Sequence, residues 1–214
     1  MGWVYLSVDR NAAGVICVLY NHATTPSAWI MLYVNSTGTA LRTDISGSTG
    51  AIEELATGTW YHLAITYQGT SVKVYVNGAL DTTRSTTSTV NGVLMAMGSN
   101  GASWYNGRMA GVKIWNSVLS DAEIAAEYPY YDDIKGGAWA VYPMEQSGSR
   151  TNDVSGNGRH LTENGTLTSE ADPPGVRFAA ERRAGGRGVD PVGASTAISG
   201  DERGAPRCAA AGSV

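Results

Sequence analysis

Between Trp60 and Thr83 the chain alternates apolar and polar side chains with a period of two and reverses direction twice, a pattern that only a β-meander satisfies. In the first run Tyr61, Leu63, Ile65 and Tyr67 share one face. In the second Val72, Val74 and Val76 point one way and Ser71, Lys73 and Tyr75 the other. Gln68-Gly69 turns the first run into the second. Asn77-Gly78 predicts a tight type I′ hairpin into Ala79–Thr83, because both central residues of that turn need positive φ, which Asn and Gly tolerate.

The same rhythm of short apolar runs and Gly/Asn/Ser/Thr breaks extends outward. It predicts strands near 2–8, 14–20, 28–35, 39–45, 93–98 and 104–116, with a closing strand near 138–145. Strands this short and this numerous must stack as two sheets to hide their apolar faces. The expected fold is therefore all-β, a two-sheet antiparallel jelly-roll sandwich, with one short helix near 120–128. Ser120-Asp121-Ala122-Glu123 writes the start of that helix as a capping box, and Pro129 stops it.

All six Trp and all eleven Tyr lie at or before Tyr142, whereas the stretch after Gly175 has Phe178 as its only aromatic. So few large apolar groups cannot offset the entropy of ordering a backbone, so the sandwich is expected to span 1–175 and residues 176–214 to form a disordered Ala/Gly/Arg-rich tail. Residues 1–175 carry nine Lys and Arg against fifteen Asp and Glu, a net charge of −6; the tail carries six against four, net +2. A mildly acidic body lacks the basic face that displaces counterions from a phosphate backbone, so nucleic acid is not expected as a partner. No run approaches the roughly 18 apolar residues of a membrane helix, so no membrane insertion is expected. Met1-Gly2-Trp3-Val4-Tyr5 shows no basic segment followed by an apolar stretch and cleavage site, so no signal peptide is visible. Two cysteines, Cys17 in an apolar run and Cys208 in the tail, do not make a disulfide framework; Cys17 reads as a buried free thiol.

Taken in order, Trp60-Tyr61-His62-Leu63-Ala64-Ile65-Thr66-Tyr67, Val74-Tyr75-Val76-Asn77-Gly78, Met97-Gly98, Tyr105 through Asn116, and Leu119-Ser120 through Glu123-Ile124 resemble the laminin-G-like domains of the concanavalin A-like lectin/glucanase superfamily. The resemblance is good over 60–128 and is one of rhythm over 1–59. It implies a jelly roll that binds carbohydrate or a glycoprotein surface and catalyses nothing. Such modules are parts of extracellular, cell-surface or phage-particle proteins, which adds the other subunits of a larger particle as partners. A structural or protein–protein interaction module is the alternative, and a glycoside hydrolase a third. One departure stands out: the family's opening strand and Asp-x-Ser-Gly-Asn-Gly loop are matched here by Tyr142-Pro143-Met144 and Asp153–His160, which follow the helix. Either residues 138–145 fill the slot of an N-terminal strand, which neighbouring termini make physically simple, or a second, truncated copy begins at Trp139.

Glucan hydrolases of this fold resemble one another in a Glu-x-Asp-x-x-Glu run that sets acid and nucleophile on one strand face. That spacing is absent here. Glu53 and Glu54 are the acidic pair closest to a predicted strand, and neighbours on a strand face opposite ways, so they read as solvated charges. His22, His62 and His160 lie in different segments without a second ligand at zinc spacing, and His62 shares a face with Trp60 and Ala64, which reads as packing. The resemblance implies one structural Ca²⁺ at the sandwich rim, for which Asp9 and Asn100 are the positional candidates; the bland reading, turn residues that tolerate unusual φ/ψ, stands ahead of it. For ligand contact, Trp104 offers a flat face to a sugar ring with the amides of Asn100 and Asn106 beside it. The competing reading starts a strand at Trp104 and Tyr105 and turns both inward.

Overall fold

The computed structural model describes residues 1–7, 14–20, 29–34, 40–45, 48–86, 94–99, 104–131, 133–144, 150–164, 167–171, 196–200 and 207–211. They form the expected antiparallel sandwich. One sheet is built around β1 (Gly2–Leu6), β6 (Thr59–Gln68), β7 (Ser71–Val76), β8 (Ala79–Ser85) and β10 (Gly107–Ala110), the other around β2 (Gly14–Tyr20), β3 (Trp29–Val34), β4 (Ala40–Ile45), β5 (Ser48–Glu54) and β9 (Leu94–Met97). The period-2 runs behave as their side chains require. Val4, Leu6, Leu63, Val74 and Met109 from the first sheet meet Ile16, Leu32, Val34 and Met97 from the second in one apolar core. Asn77 and Gly78 have φ of 50° and 79°, the double positive φ of a type I′ turn, and the Asn77 side-chain oxygen accepts the His62 amide at 3.0 Å.

The helix α1 (Asp121–Glu127) begins with the capping box read from sequence: Ser120 Oγ accepts the Glu123 amide at 3.3 Å and Glu123 Oε2 accepts the Ser120 amide at 2.7 Å. It lies over the outward face of the first sheet, where Leu119 and Ile124 pack on Ala64 and Tyr75. The following turn sets Tyr131 against Trp3 and Ala110, with Tyr128 beside them. A fully buried ion pair fastens this layer, with Lys113 Nζ 2.5 Å from Glu127 Oε2 and also donating to the carbonyls of Glu127 and Tyr130 at 3.0 and 2.8 Å. Lys113, expected only as a strand residue, is thus the pin between sheet and helix.

Several boundaries differ from expectation. The single strand expected over 104–116 is two, because Gly111 at φ +57° breaks it; β10 stays on β1, while β11 (Val112–Ile114) leaves to pair with β12 (Ala140–Tyr142). A side chain at 111 would stand 2.6 Å from the Tyr131 ring, so the bend and the aromatic packing select glycine together. Glu53 and Glu54 lie within β5, which the small residues Ser48, Thr49, Gly50 and Ala51 concealed. Ala140, Tyr142, Met144 and Leu161 share the core with Val4 and Leu63. β13 (Thr162–Asn164) and β14 (Leu167–Ala171) follow.

Two segments of the stretch expected to be a disordered tail are strands: β15 (Thr196–Gly200) lies between β10 and β14, and β16 (Arg207–Ala211) between β9 and β13. A stretch poor in aromatics still carries a full set of backbone donors and acceptors. An open sheet edge also offers a ladder of backbone hydrogen bonds, which small Ala, Ser and Gly residues can fill. Residues 172–195, 201–206 and 212–214 lie outside the described ones.

Candidate functional site

β9 and β10 are joined by a segment whose base is tightly held. Ser99 and Trp104 bridge in antiparallel register, the Tyr105 amide donates to the Gly98 carbonyl at 2.7 Å, and the Gly98 amide donates to the Ile16 carbonyl at 2.8 Å. Gly14 lets this base rest on β2, since a Cβ there would meet the Trp104 carbonyl at 2.8 Å. From Trp104 to Met109 burial then alternates: Tyr105, Gly107 and Met109 are buried, whereas Trp104, Asn106 and Arg108 are not. Tyr105 runs inward and donates its hydroxyl to the Tyr5 carbonyl at 2.7 Å. Trp104 stands 43% exposed.

Tyr105 enters the core, whereas Trp104 is exposed and Asn106 is half-buried. The structure adds residues that the sequence reading missed. Arg108 is opposite Tyr5 in the β10–β1 register, and Tyr5 is opposite Trp60 in the β1–β6 register. The Arg108 guanidinium lies over the Tyr5 ring at 4.5 Å, and the Tyr5 and Trp60 rings are 5.5 Å apart. Cross-strand neighbours on adjacent strands but 55 (Tyr5–Trp60) and 103 (Tyr5–Arg108) residues apart in sequence carry no local signal. The signal that exists is their shared parity with Trp3 and His62 on outward positions. Tyr5, Trp60 and Arg108 thus form one half-buried cluster on the outward face of the first sheet.

Asn100, Asp9 and His22 lie outside the described residues. Among the described residues no group of three or more His, Cys, Asp or Glu side chains could hold a metal ion. His160 accepts the Asp153 amide on Nδ1 at 3.2 Å, within the loop that caps β12. Cys17 is a free thiol, pushed up by burial.

His62 packs as its strand parity suggested, in edge contact with Trp3 and Tyr128 at 5.5 and 5.4 Å. Neither ring nitrogen has a hydrogen-bond partner, and burial holds its pKa well below the ordinary histidine value. The unfolded chain therefore takes up the proton first, and folding stability is complete above about pH 6.5 and falls as pH drops below it, by up to about 1.4 kcal/mol per pH unit. Urea denaturation between pH 7 and 5 should show this loss in the wild type and a shallower slope in His62→Phe, which keeps the ring contacts. Equal slopes would show that His62 does not supply the dependence.

A search of curated proteins found no match. Among solved structures the chain is similar to a native heptameric SAP-like pentraxin from Limulus polyphemus, at 18% identity and a TM-score of 0.47, with 59% of this chain and 67% of that one covered. It is also similar to a putative carbohydrate binding protein from Bacteroides ovatus, at 16% identity and a TM-score of 0.51 over 73% of this chain; it spans about half, 54%, of that protein. Residues 2–125, more than half of the sequence, match a laminin-G family model described as concanavalin A-like lectin/glucanases superfamily. The strand order, the hairpin and the capped helix agree with that match, and the chain belongs to the concanavalin A-like lectin/glucanase superfamily.

Proposed function

We propose that this chain is a non-catalytic recognition module that binds carbohydrate on the surface formed by Trp104, Asn106, Arg108, Tyr5 and Trp60. The observation that carries the reading is the exposed Trp104 indole on a hydrogen-bonded base, followed at alternate, less buried positions by the amide of Asn106 and the guanidinium of Arg108. A sugar ring presents an apolar face and a rim of hydroxyls. Aromatic surface takes the first, and fixed donors orient the second. The rigid sheet beneath keeps the ordering cost low. The carbohydrate-binding description of the Bacteroides ovatus protein supports the same reading. The module fits a setting on a cell surface, outside the cell or on a virus particle, where glycans are displayed.

Trp104→Ala is expected to weaken binding to a recognised polysaccharide by about 2 kcal/mol, roughly thirtyfold, with thermal unfolding unchanged. Affinity electrophoresis in polysaccharide gels measures this, and unaltered retardation of a folded Trp104→Ala would remove the site. A rim Ca²⁺ at Asp9 and Asn100 belongs to the same proposal as an auxiliary part. Recognition as described does not depend on it, and a melting temperature unmoved between excess Ca²⁺ and chelator would delete it.

A further inference from the structure

We propose that the space between the two sheets is a binding site for a linear alkyl chain carrying a small polar head group, with the chain inside the sandwich and the head at its open end. Ile16, Leu32, Leu63, Met95, Met97 and Met109 surround an apolar cavity of about 110 Å³. Packed interiors leave few voids larger than a water molecule. A local irregularity lies in the cavity wall. The β2–β3 register shifts between Val15 and Cys17, so Ile16 is an extra residue, and Ile16 and Cys17 both line the cavity.

Cys17, Ile65, Met95 and Ile114 are also walls of a second space of about 290 Å³, so the two adjoin across these side chains. There the lining changes: Thr66, Asn116 and Ser117 stand beside Ile30, Tyr67 and Trp115. An apolar inner chamber beside a part-polar one, parted only by the side chains of Cys17, Ile65, Met95 and Ile114, suits an amphiphile whose chain goes in first once those side chains give way. Methionines, unbranched and adaptable, can close around a flexible chain. This site lies within the sandwich, and its occupancy is independent of the outward Trp104 surface.

The test is methyl NMR of the full chain labelled with ¹³C-methyl-methionine and titrated with 1-decanol. Saturable shifts of Met95, Met97 and Met109, with Met31 unmoved, are expected. Ile114→Trp, which enlarges a side chain lining both spaces, should abolish those shifts while melting stays cooperative; Met95→Phe serves the same purpose if Ile114→Trp does not fold. The proposal is overturned by methionine signals that do not move up to the solubility limit of decanol, by shifts that include Met31 equally, or by unchanged binding in a folded plugged variant. Binding of naphthalene with decanol excluded would overturn it too, since the site would then take a flat ring and not a chain.

Discussion

Replacing Lys113 by methionine is expected to destabilise the protein by about 3–5 kcal/mol, read as a lowered urea midpoint with an unchanged slope. The Lys113 and Glu127 side chains are 0% and 1% exposed, and the ammonium also serves two backbone carbonyls. Removing the ammonium strands the Glu127 carboxylate away from water, and an uncompensated buried charge is the costly outcome. The double variant Lys113→Met/Glu127→Leu should recover most of the loss, because an apolar pair of similar volume removes both desolvation costs. A double variant as unstable as the single one would mean that the ion pair itself, and not charge burial, holds α1 on the sheet. The layer it holds includes Tyr128 and Tyr131, which pack on the outward face beside Trp60.

Asp153→Ala is expected to cost about 3 kcal/mol and to free the loop 153–160 from β12. One carboxylate oxygen accepts the amides of Val141 and Ser155, each at 2.9 Å, and the other accepts the Arg159 amide at 3.0 Å. Each buried amide left without its partner costs about 1–3 kcal/mol. Neighbouring contacts limit the loss. Asn157 Nδ2 donates to the Ala138 and Trp139 carbonyls at 3.1 Å, and the Arg159 guanidinium covers the Trp139 ring at 4.3 Å. Burial alone would raise the Asp153 pKa, but the amides outweigh it and hold the carboxyl below its ordinary value. Its stabilisation is therefore present above the unfolded carboxylate pKa near 4 and lost as pH falls further. Amide hydrogen exchange at Val141, Ser155 and Arg159 should quicken in Asp153→Ala; unchanged protection would show that Asn157 and Arg159 suffice.

The parts legible in sequence were those in which neighbours along the chain decide the outcome. Val72, Val74 and Val76 alternate with polar residues and became β7; Asn77-Gly78 became the type I′ turn; Ser120 and Glu123 capped the helix. What escaped depends on partners far away. Nothing local marks Lys113 as a buried cation, since its Glu127 partner is on another element. Trp104 and Tyr105 look alike in sequence, and only the anchored base between Gly98 and Gly14 separates an outward indole from an inward phenol. Tyr5, Trp60 and Arg108 become neighbours through the β10–β1–β6 register alone. Asp153–His160, read as a displaced opening motif, works here as a hydrogen-bonded cap on β12.

Recognition of carbohydrate by the outward aromatic surface is tested most directly by applying the full chain, beside its Trp104→Ala variant, to a broad glycan array with Ca²⁺ and with chelator. A selective set of glycans bound by the wild type and lost in Trp104→Ala is expected; loss under chelator as well would add the rim metal. Silence of the folded wild type in both conditions would contradict it and move the function to protein binding or particle assembly.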